Sequence, residues 1–227
     1  MSSGIQALLL IGSPRGKMST SYSLGSFLLE ILKEKGWETQ NQHIQKSLKT
    51  QDGKNKLLSQ MDCSDIIILT FPLYVDTLPA PVIEMMELIR KHYELKEKSN
   101  KQRLVTIVNS GFPEPDHSNI AITNCKIFCR ETGIDWAGGL TIGGGEAIAG
   151  RPLKEVKGMA RKIIKALDFT AKALSSEKPI PNKALELTSK PLVPKWLYLF
   201  AGTRMWKSKA KKNGAIKKIY DSPYTKT

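Results

Sequence analysis

Continuous apolar runs alternate with helical patterns along the first 176 residues of the chain. Residues 5–11 and 66–71 are nearly unbroken apolar runs, which are typical of strands covered on both faces. Weaker strand patterns cover 37–44, 104–108 and 134–142, and glycines interrupt the last of them. Apolar residues at helical spacing predict helices over 21–35, 52–61, 82–95, 120–132 and 153–174.

The order of these elements predicts the fold class. Five strands, each followed by a helix, indicate an α/β protein with a doubly wound, five-stranded parallel sheet and helices on both faces. We assign residues 1–176 to this domain and residues 177–227 to a C-terminal arm. Residues 175–194 hold four prolines and few apolar residues, so we expect a linker or an arm lying on the surface.

The composition excludes several classes of protein. Cys63, Cys125 and Cys129 are too few and too scattered for a disulfide framework, and two thiols on one helix face do not make a metal or iron–sulfur site. We therefore predict no metal. The sequence shows no signal-peptide pattern and no apolar stretch near the ~20 residues that span a bilayer. We expect a soluble protein of the reducing cytoplasm.

The positive charge is concentrated in the arm. The chain carries a formal charge of +14, and residues 177–227 contribute 12 Lys or Arg against 3 Asp or Glu. Within 192–212, basic residues accompany large apolar ones, among them Leu192, Trp196, Leu197, Phe200 and Trp206. Three hypotheses stay open. The segment packs on the domain or on a sister subunit, lies on an anionic membrane, or binds nucleic acid, although no specific nucleic-acid reader motif accompanies it.

The loop after the first strand has the composition of a phosphate site. It runs from Gly12 to Ser21 and opens the first predicted helix, where backbone amides attract an anion. Short hydroxyls and one basic side chain could reach such a group: Ser13, Arg15, Ser19, Thr20 and Ser21. The alternative is an ordinary capped helix. A P-loop does not fit, because Met18 stands where that motif needs Ser or Thr.

Two further loops would lie at the same edge of the sheet. The loop after the third predicted strand contains Pro72, Leu73, Tyr74 and Val75, which offer apolar surface and stiff backbone to a planar ring, or else cap the core. The loop after the fourth contains Ser110, Gly111 and Phe112, where small residues permit close approach and Phe112 could cover a ring. His117 follows, either as a surface residue or as a proton donor.

These three loops together resemble the NADPH-dependent FMN reductase family of the flavodoxin-like superfamily. The resemblance covers about residues 5–170 and rests on Gly-Ser-Pro-Arg…Ser-Thr-Ser, Pro-Leu-Tyr…Leu-Pro and Asn-Ser-Gly-Phe in this order. It implies FMN as cofactor, with the first loop on the phosphate, the second along the isoalloxazine and ribityl chain, and the third beside the ring. The implied contacts are Ser13, Arg15, Ser19, Thr20, Ser21, Pro72, Leu73, Tyr74, Val75, Ser110, Gly111 and Phe112.

The resemblance also implies an activity. NADPH or NADH would reduce the flavin, which would pass electrons to a small acceptor such as a quinone, nitro compound, azo dye or metal chelate. Tyr74 and His117 are the candidate catalytic residues, and a homodimer would complete the flavin pocket. Two other readings stay open: an electron carrier of the flavodoxin type, against which the positive charge counts, and a non-redox module that works through its arm.

Overall fold

The computed structural model describes residues 4–95, 101–192 and 194–222. The chain divides into two compact units, Met1–Leu192 and Val193–Thr227. The first unit contains the sheet and its flanking helices, and the second contains a single long helix followed by a short turn. We describe each unit by itself.

The predicted five-stranded parallel sheet is confirmed. Its strands are β1 (Gln6–Ile11), β2 (Glu38–His43), β3 (Ile66–Pro72), β4 (Arg103–Asn109) and β5 (Asp135–Ile142). All neighbouring pairs are parallel, in the order β2-β1-β3-β4-β5. This order reverses between β1 and β3, as in other flavodoxin-like folds, and it leaves a crevice at the carboxyl ends of these two strands.

Eight α-helices connect or follow the strands in the described part of the chain: α1 (Thr20–Glu34), α2 (Ile44–Ser47), α3 (Gln51–Cys63), α4 (Ala80–Leu95), α5 (Asn119–Thr132), α6 (Arg161–Ser175), α7 (Asn182–Thr188) and α8 (Lys195–Lys212). The helices predicted from spacing correspond to α1, α3, α4, α5 and α6. One of them is shorter than predicted, because the stretch Leu153–Ala160 forms 3₁₀ turns before α6 begins.

The core lies on both faces of the sheet, which explains the unbroken apolar runs. Along β1, Leu9 packs into the cluster beneath α1 and α6, whereas Leu8 and Leu10 pack into the cluster beneath α3, α4 and α5. Successive side chains of a strand point to opposite faces, so a strand covered on both sides needs apolar residues at every position. β2 lies at the edge and is correspondingly polar.

The segment after α6 belongs to the first unit, which therefore extends past the predicted boundary at residue 176 to Leu192. The Ile180 amide donates a hydrogen bond to the Ala137 carbonyl over 2.8 Å. Next to Ala137, Gly138 has φ +131°, and the pairing of β4 with β5 shifts register nearby. Ile180 and Ala184 are buried in the core beside α6. Ile180 and Ala184 stand among prolines in the sequence, and two apolar residues do not form a pattern from which this packing or α7 could be predicted.

The second unit contains α8, which the sequence pattern left unassigned. Pro194 precedes its first turn, where the missing N–H of proline is no loss. Gly214 follows its last turn with φ +66°, the left-handed conformation that ends many helices. A short 3₁₀ turn over Ile216–Lys218 comes next.

Candidate functional site

A cavity of about 130 Å³ opens at the carboxyl edge of the sheet, beside the point where the strand order reverses. Ten of the twelve predicted cofactor contacts line it: Ser13, Arg15, Ser19, Thr20, Ser21, Pro72, Leu73, Tyr74, Ser110 and Gly111. The cavity thus brings together residues from all three loops. Val75, Phe112 and His117 are not among its lining residues.

The floor of the first loop is fixed by close packing at Gly12. A Cβ atom there would lie 2.5 Å from Val82 Cγ2 and 2.8 Å from Phe71 Cβ. The Gly12 amide also donates to the Thr70 carbonyl over 2.7 Å. This close contact with β3 and α4 is the structural reason for a glycine at position 12.

Ser19 caps α1, as the alternative interpretation of this loop expected. Its backbone is extended, its Oγ accepts the Tyr22 amide at 3.1 Å, and its hydroxyl donates to the Gly16 carbonyl at 2.6 Å. The amides of Thr20 and Ser21 precede that of Tyr22 in the first turn, where an α-helix offers no carbonyl partner. The Ser19 cap uses the amide of Tyr22, so the amides of Thr20 and Ser21 can still bind an anion.

The hydroxyls of Thr20 and Ser21 already donate to protein acceptors. Thr20 Oγ1 donates to the Gly145 carbonyl over 2.9 Å, and Ser21 Oγ donates to Asn109 Oδ1 over 2.7 Å. Both hydrogen bonds are buried, and they tie the start of α1 to the loops after β4 and β5. The backbone amides of the first turn and the side chain of Arg15 are thus the principal donors left for an anion.

A carboxylate lies in the same cavity as these donors. Glu146 follows β5 and lines the cavity, and its Oε1 lies 3.5 Å from Arg15 Nη1. Both side chains are more than half exposed, so this ion pair is weak. Arg15 can exchange Glu146 for another anion, and Glu146 would then repel that anion.

The second loop forms a tight hairpin turn at the end of β3. Tyr74 and Thr77 exchange two backbone hydrogen bonds of 3.0 Å each, and the two residues between them have positive φ, +48° at Val75 and +58° at Asp76. Left-handed backbone is unusual for a β-branched residue. The Leu73 amide donates to the Asn109 carbonyl over 2.8 Å. The amides of Leu73 and Tyr74 are therefore already bonded, and these residues offer their side chains to the cavity.

The third loop contacts the tip of this hairpin through exposed side chains. The rings of Phe112 and His117 lie 5.0 Å apart at 37°, and His117 Nδ1 lies 3.5 Å from Asp76 Oδ1. Val75 is 97% exposed and Phe112 is also exposed, which is why neither lines the cavity. Asp76, Phe112 and His117 form an outer cluster beside the opening, and Tyr74 is the candidate catalytic residue that reaches the cavity itself.

Three lining residues were missed by the sequence analysis: Asn109, Gly145 and Glu146. Asn109 ends β4, and the other two belong to the loop after β5. Asn109 is the first residue of the Asn-Ser-Gly-Phe motif of the third loop. The signal that could have found Gly145 and Glu146 is the run Gly143-Gly144-Gly145, which follows the fifth predicted strand at the same edge as the three loops.

Burial is the main cause of the shifted pKa values of Cys125 and His43, which lie outside the cavity. Burial raises the pKa of the Cys125 thiol to about 12, which makes it unreactive at neutral pH. Burial, together with Lys46 and Lys17, lowers the pKa of His43, whose ring stacks on Tyr22 with 6.1 Å between centroids. His43 is therefore neutral beside the first turn of α1 and adds no charge there.

Comparison with known proteins supports the fold. Neither the family models nor the curated proteins that were searched match this sequence. Among solved structures, an FMN-dependent NADH-azoreductase from Bacillus anthracis in complex with FMN is similar at TM-score 0.54 and 14% identity, over 75% of this chain and 99% of that one. An NAD(P)H:quinone oxidoreductase from Methanothermobacter marburgensis is similar at TM-score 0.56 and 13% identity, over 75% and 96%.

A flavodoxin from Streptococcus pneumoniae is similar at TM-score 0.50 and 13% identity, over 76% of this chain and 99% of that one. At these identities the similarity establishes a shared fold, and the expected flavodoxin-like architecture is confirmed.

Proposed function

We propose that the chain is an FMN-dependent NAD(P)H oxidoreductase, which passes electrons from a reduced nicotinamide through FMN to a small acceptor of the quinone, nitro, azo or metal-chelate type. The observation that carries this proposal is the cavity at the strand-order reversal, which collects ten of the twelve predicted FMN contacts from three separate loops. Flavodoxin-like neighbours described as an FMN-dependent azoreductase and a quinone oxidoreductase support the same chemistry.

The residues present fit the phosphate end of FMN. The first-turn amides of α1 and the guanidinium of Arg15 are donors for a phosphate, and Ser13 and Ser19 line the same space. A volume of about 130 Å³ is small beside the ~300–1,000 Å³ usual for ligand pockets, so the flavin ring would extend toward the open side. Pro72, Leu73, Tyr74, Ser110 and Gly111 would hold it, with Val75 and Phe112 at the outer edge.

When bound, FMN supplies the hydride and electron chemistry, and the chain supplies binding and orientation. Arg15 and the start of α1 hold the anionic end of the cofactor. The hydrogen bonds from Thr20 to Gly145 and from Ser21 to Asn109 fix the loops after β1, β4 and β5 to one another. The residues that would hold the phosphate and those that would hold the ring thus keep fixed relative positions. Tyr74 is the proposed proton donor at the cavity, and His117 would act only beside its opening.

The finer expectations stay proposals about the same site. Either NADPH or NADH would serve as co-substrate. Arg15 and Glu146 are the charged residues that line the cavity, so the lining offers no second basic side chain that would select the additional phosphate of NADPH. A homodimer would cover the open side of the cavity beside Val75 and Phe112, which are exposed in the single chain. We expect the protein in the cytoplasm, where reduced nicotinamides are generated.

A flavin titration tests the proposal. The purified protein should bind FMN, and the bound flavin should bleach on anaerobic addition of NADH or NADPH and recover its colour with a quinone. Arg15→Gln should weaken FMN about tenfold or more without changing riboflavin affinity, because riboflavin lacks the phosphate. Arg130→Gln is the matched control, since Arg130 forms a comparable exposed ion pair with Glu131 on α5.

Two results would contradict the proposal. A protein that binds no flavin, with or without added FMN, is a non-redox module. Bound flavin that resists both nicotinamides but accepts electrons from a separate reductase identifies an electron carrier of the flavodoxin type.

A further inference from the structure

The helix α8 carries large apolar side chains in contact with solvent. Trp196 and Trp206 are each 70% exposed, and Leu199 and Phe200 are more than half exposed. At 3.6 residues per turn these four side chains lie within an arc of about 120° on one face. We call them the aromatic face. Such a face is unfavourable in water unless a partner covers it.

The charge around this face has one sign. Residues 187–220 contain nine Lys or Arg and no Asp or Glu. Four of the lysines, Lys207, Lys209, Lys211 and Lys212, follow directly after the aromatic face in the last turns of α8 and are exposed. Lys207 and Lys211 continue the same side of the helix. The partner must therefore be strongly anionic and must also accept apolar side chains.

We propose that α8 binds the surface of an anionic phospholipid membrane, with the aromatic face in the headgroup layer and Lys207 and Lys211 against lipid phosphates. Lys209 and Lys212 add to the positive potential that the anionic surface attracts. Tryptophan prefers this layer, because its ring is apolar and its N–H is polar. Each lysine near an anionic leaflet adds about fivefold to the partition coefficient. Nucleic acid would match the charge but leaves the aromatic face in water. A second copy of α8 would cover the aromatic face, but the positive charges of the two helices would repel each other.

The helix lies on the membrane and does not cross it. Within residues 4–95, 101–192 and 194–222, no helix is long and apolar enough to cross a bilayer. The 18 residues of α8 hold both the apolar and the basic segment, so only the part up to Trp206 can enter the interface. An oxidoreductase held there would meet acceptors dissolved in the bilayer.

Vesicle co-sedimentation of the full chain tests this inference. We expect binding to phosphatidylcholine vesicles that contain one third phosphatidylglycerol, little binding to phosphatidylcholine alone, and release as NaCl rises from 50 to 300 mM. Tryptophan emission should shift to the blue on binding. Trp196→Ala with Trp206→Ala should abolish both signals, while Trp37 and Trp136 remain as internal references.

A matched pair of charge variants separates local from global electrostatics. Replacing Lys207, Lys209, Lys211 and Lys212 by Gln should lower the partition coefficient at least about fiftyfold. The control variant removes the same amount of charge from exposed positions of α5 and α6, by replacing Lys126, Lys162, Lys165 and Lys172 with Gln. Its partition coefficient should differ from that of the wild type by less than about threefold. Circular dichroism and FMN titration check that each variant is folded, independently of lipid.

Three results would overturn the inference. If all of the protein stays in the supernatant at 50 mM NaCl, α8 does not bind the membrane. A wild-type oligomer that dissociates on Trp196→Ala with Trp206→Ala makes the aromatic face a subunit interface. Retention by duplex DNA or RNA, with no binding to vesicles, makes the arm a nucleic-acid segment. FMN reduction by NADH is measured separately, so a failure of the proposed oxidoreductase activity is distinguishable.

Discussion

Replacing Glu146 by Gln tests the electrostatics of the cavity directly. Glu146 Oε1 lies 3.5 Å from Arg15 Nη1, and both side chains line the space assigned to the FMN phosphate. A phosphate that bonds to Arg15 would therefore lie about 5–6 Å from the carboxylate. The substitution removes one negative charge next to that group and keeps the size of the side chain.

The magnitude follows from Coulomb's law. A phosphate monoester carries about −1.5 to −2 charges at neutral pH, and at 5–6 Å in water it repels a carboxylate by roughly 1–2 kcal/mol. Screening at physiological salt reduces this to below about 1 kcal/mol. We expect Glu146→Gln to tighten FMN binding about threefold at 150 mM NaCl and about five- to tenfold at 10 mM. Riboflavin, which has no phosphate, should bind equally well to both proteins.

Flavin fluorescence titration at the two salt concentrations measures this effect. Glu131→Gln is the control, because Glu131 forms a similar exposed ion pair with Arg130 near the C-terminal end of α5, and it should leave both affinities unchanged. A Glu146→Gln protein that binds FMN no better than the wild type, or that gains equal affinity for riboflavin, would refute the assignment of the phosphate to this cavity.

Other substitutions and reagents test separate features. Ser21→Ala removes the buried donor to Asn109 Oδ1 and should lower the free energy of unfolding by about 1–3 kcal/mol in urea denaturation; no change would mean that this hydrogen bond contributes nothing. Val75 is a β-branched residue at φ +48°, a conformation that asparagine adopts more easily. Val75→Asn should therefore raise the free energy of unfolding by about 1 kcal/mol and raise the melting temperature. An unchanged or lower melting temperature would mean that the turn is not strained. In the native protein at pH 8, a thiol reagent should modify exposed Cys63 rapidly and Cys125 hardly at all, because burial raises the pKa of Cys125 to about 12; equal rates would contradict that burial.

The sheet could be predicted from the sequence because its signal is local. The apolar runs that became β1 and β3 need no partner to be recognised, and the crossover rule then places helices on both faces of the sheet. The helical segment α7 could not be predicted, because its burial depends on Ile180 meeting Ala137 in a distant strand.

The candidate site was predictable in its loops but not in its hydrogen bonds. The hydroxyl run at Ser19, Thr20 and Ser21 marked the start of α1, but the acceptor of Thr20 is Gly145, 125 residues away in the sequence. No pattern within one loop indicates such a partner. For the same reason, no local pattern indicates that Glu146 faces Arg15.

The cluster of Asp76, Phe112 and His117 has a consequence for how acceptors are chosen. The tips of two loops meet there through solvent-exposed side chains, whereas the cavity below is held by buried hydrogen bonds. Substitutions at these exposed positions can alter the rim of the cavity without a change in any strand of the sheet. In the proposed oxidoreductase, acceptor size can therefore diverge among related sequences at this rim, while the residues proposed to hold the cofactor stay intact.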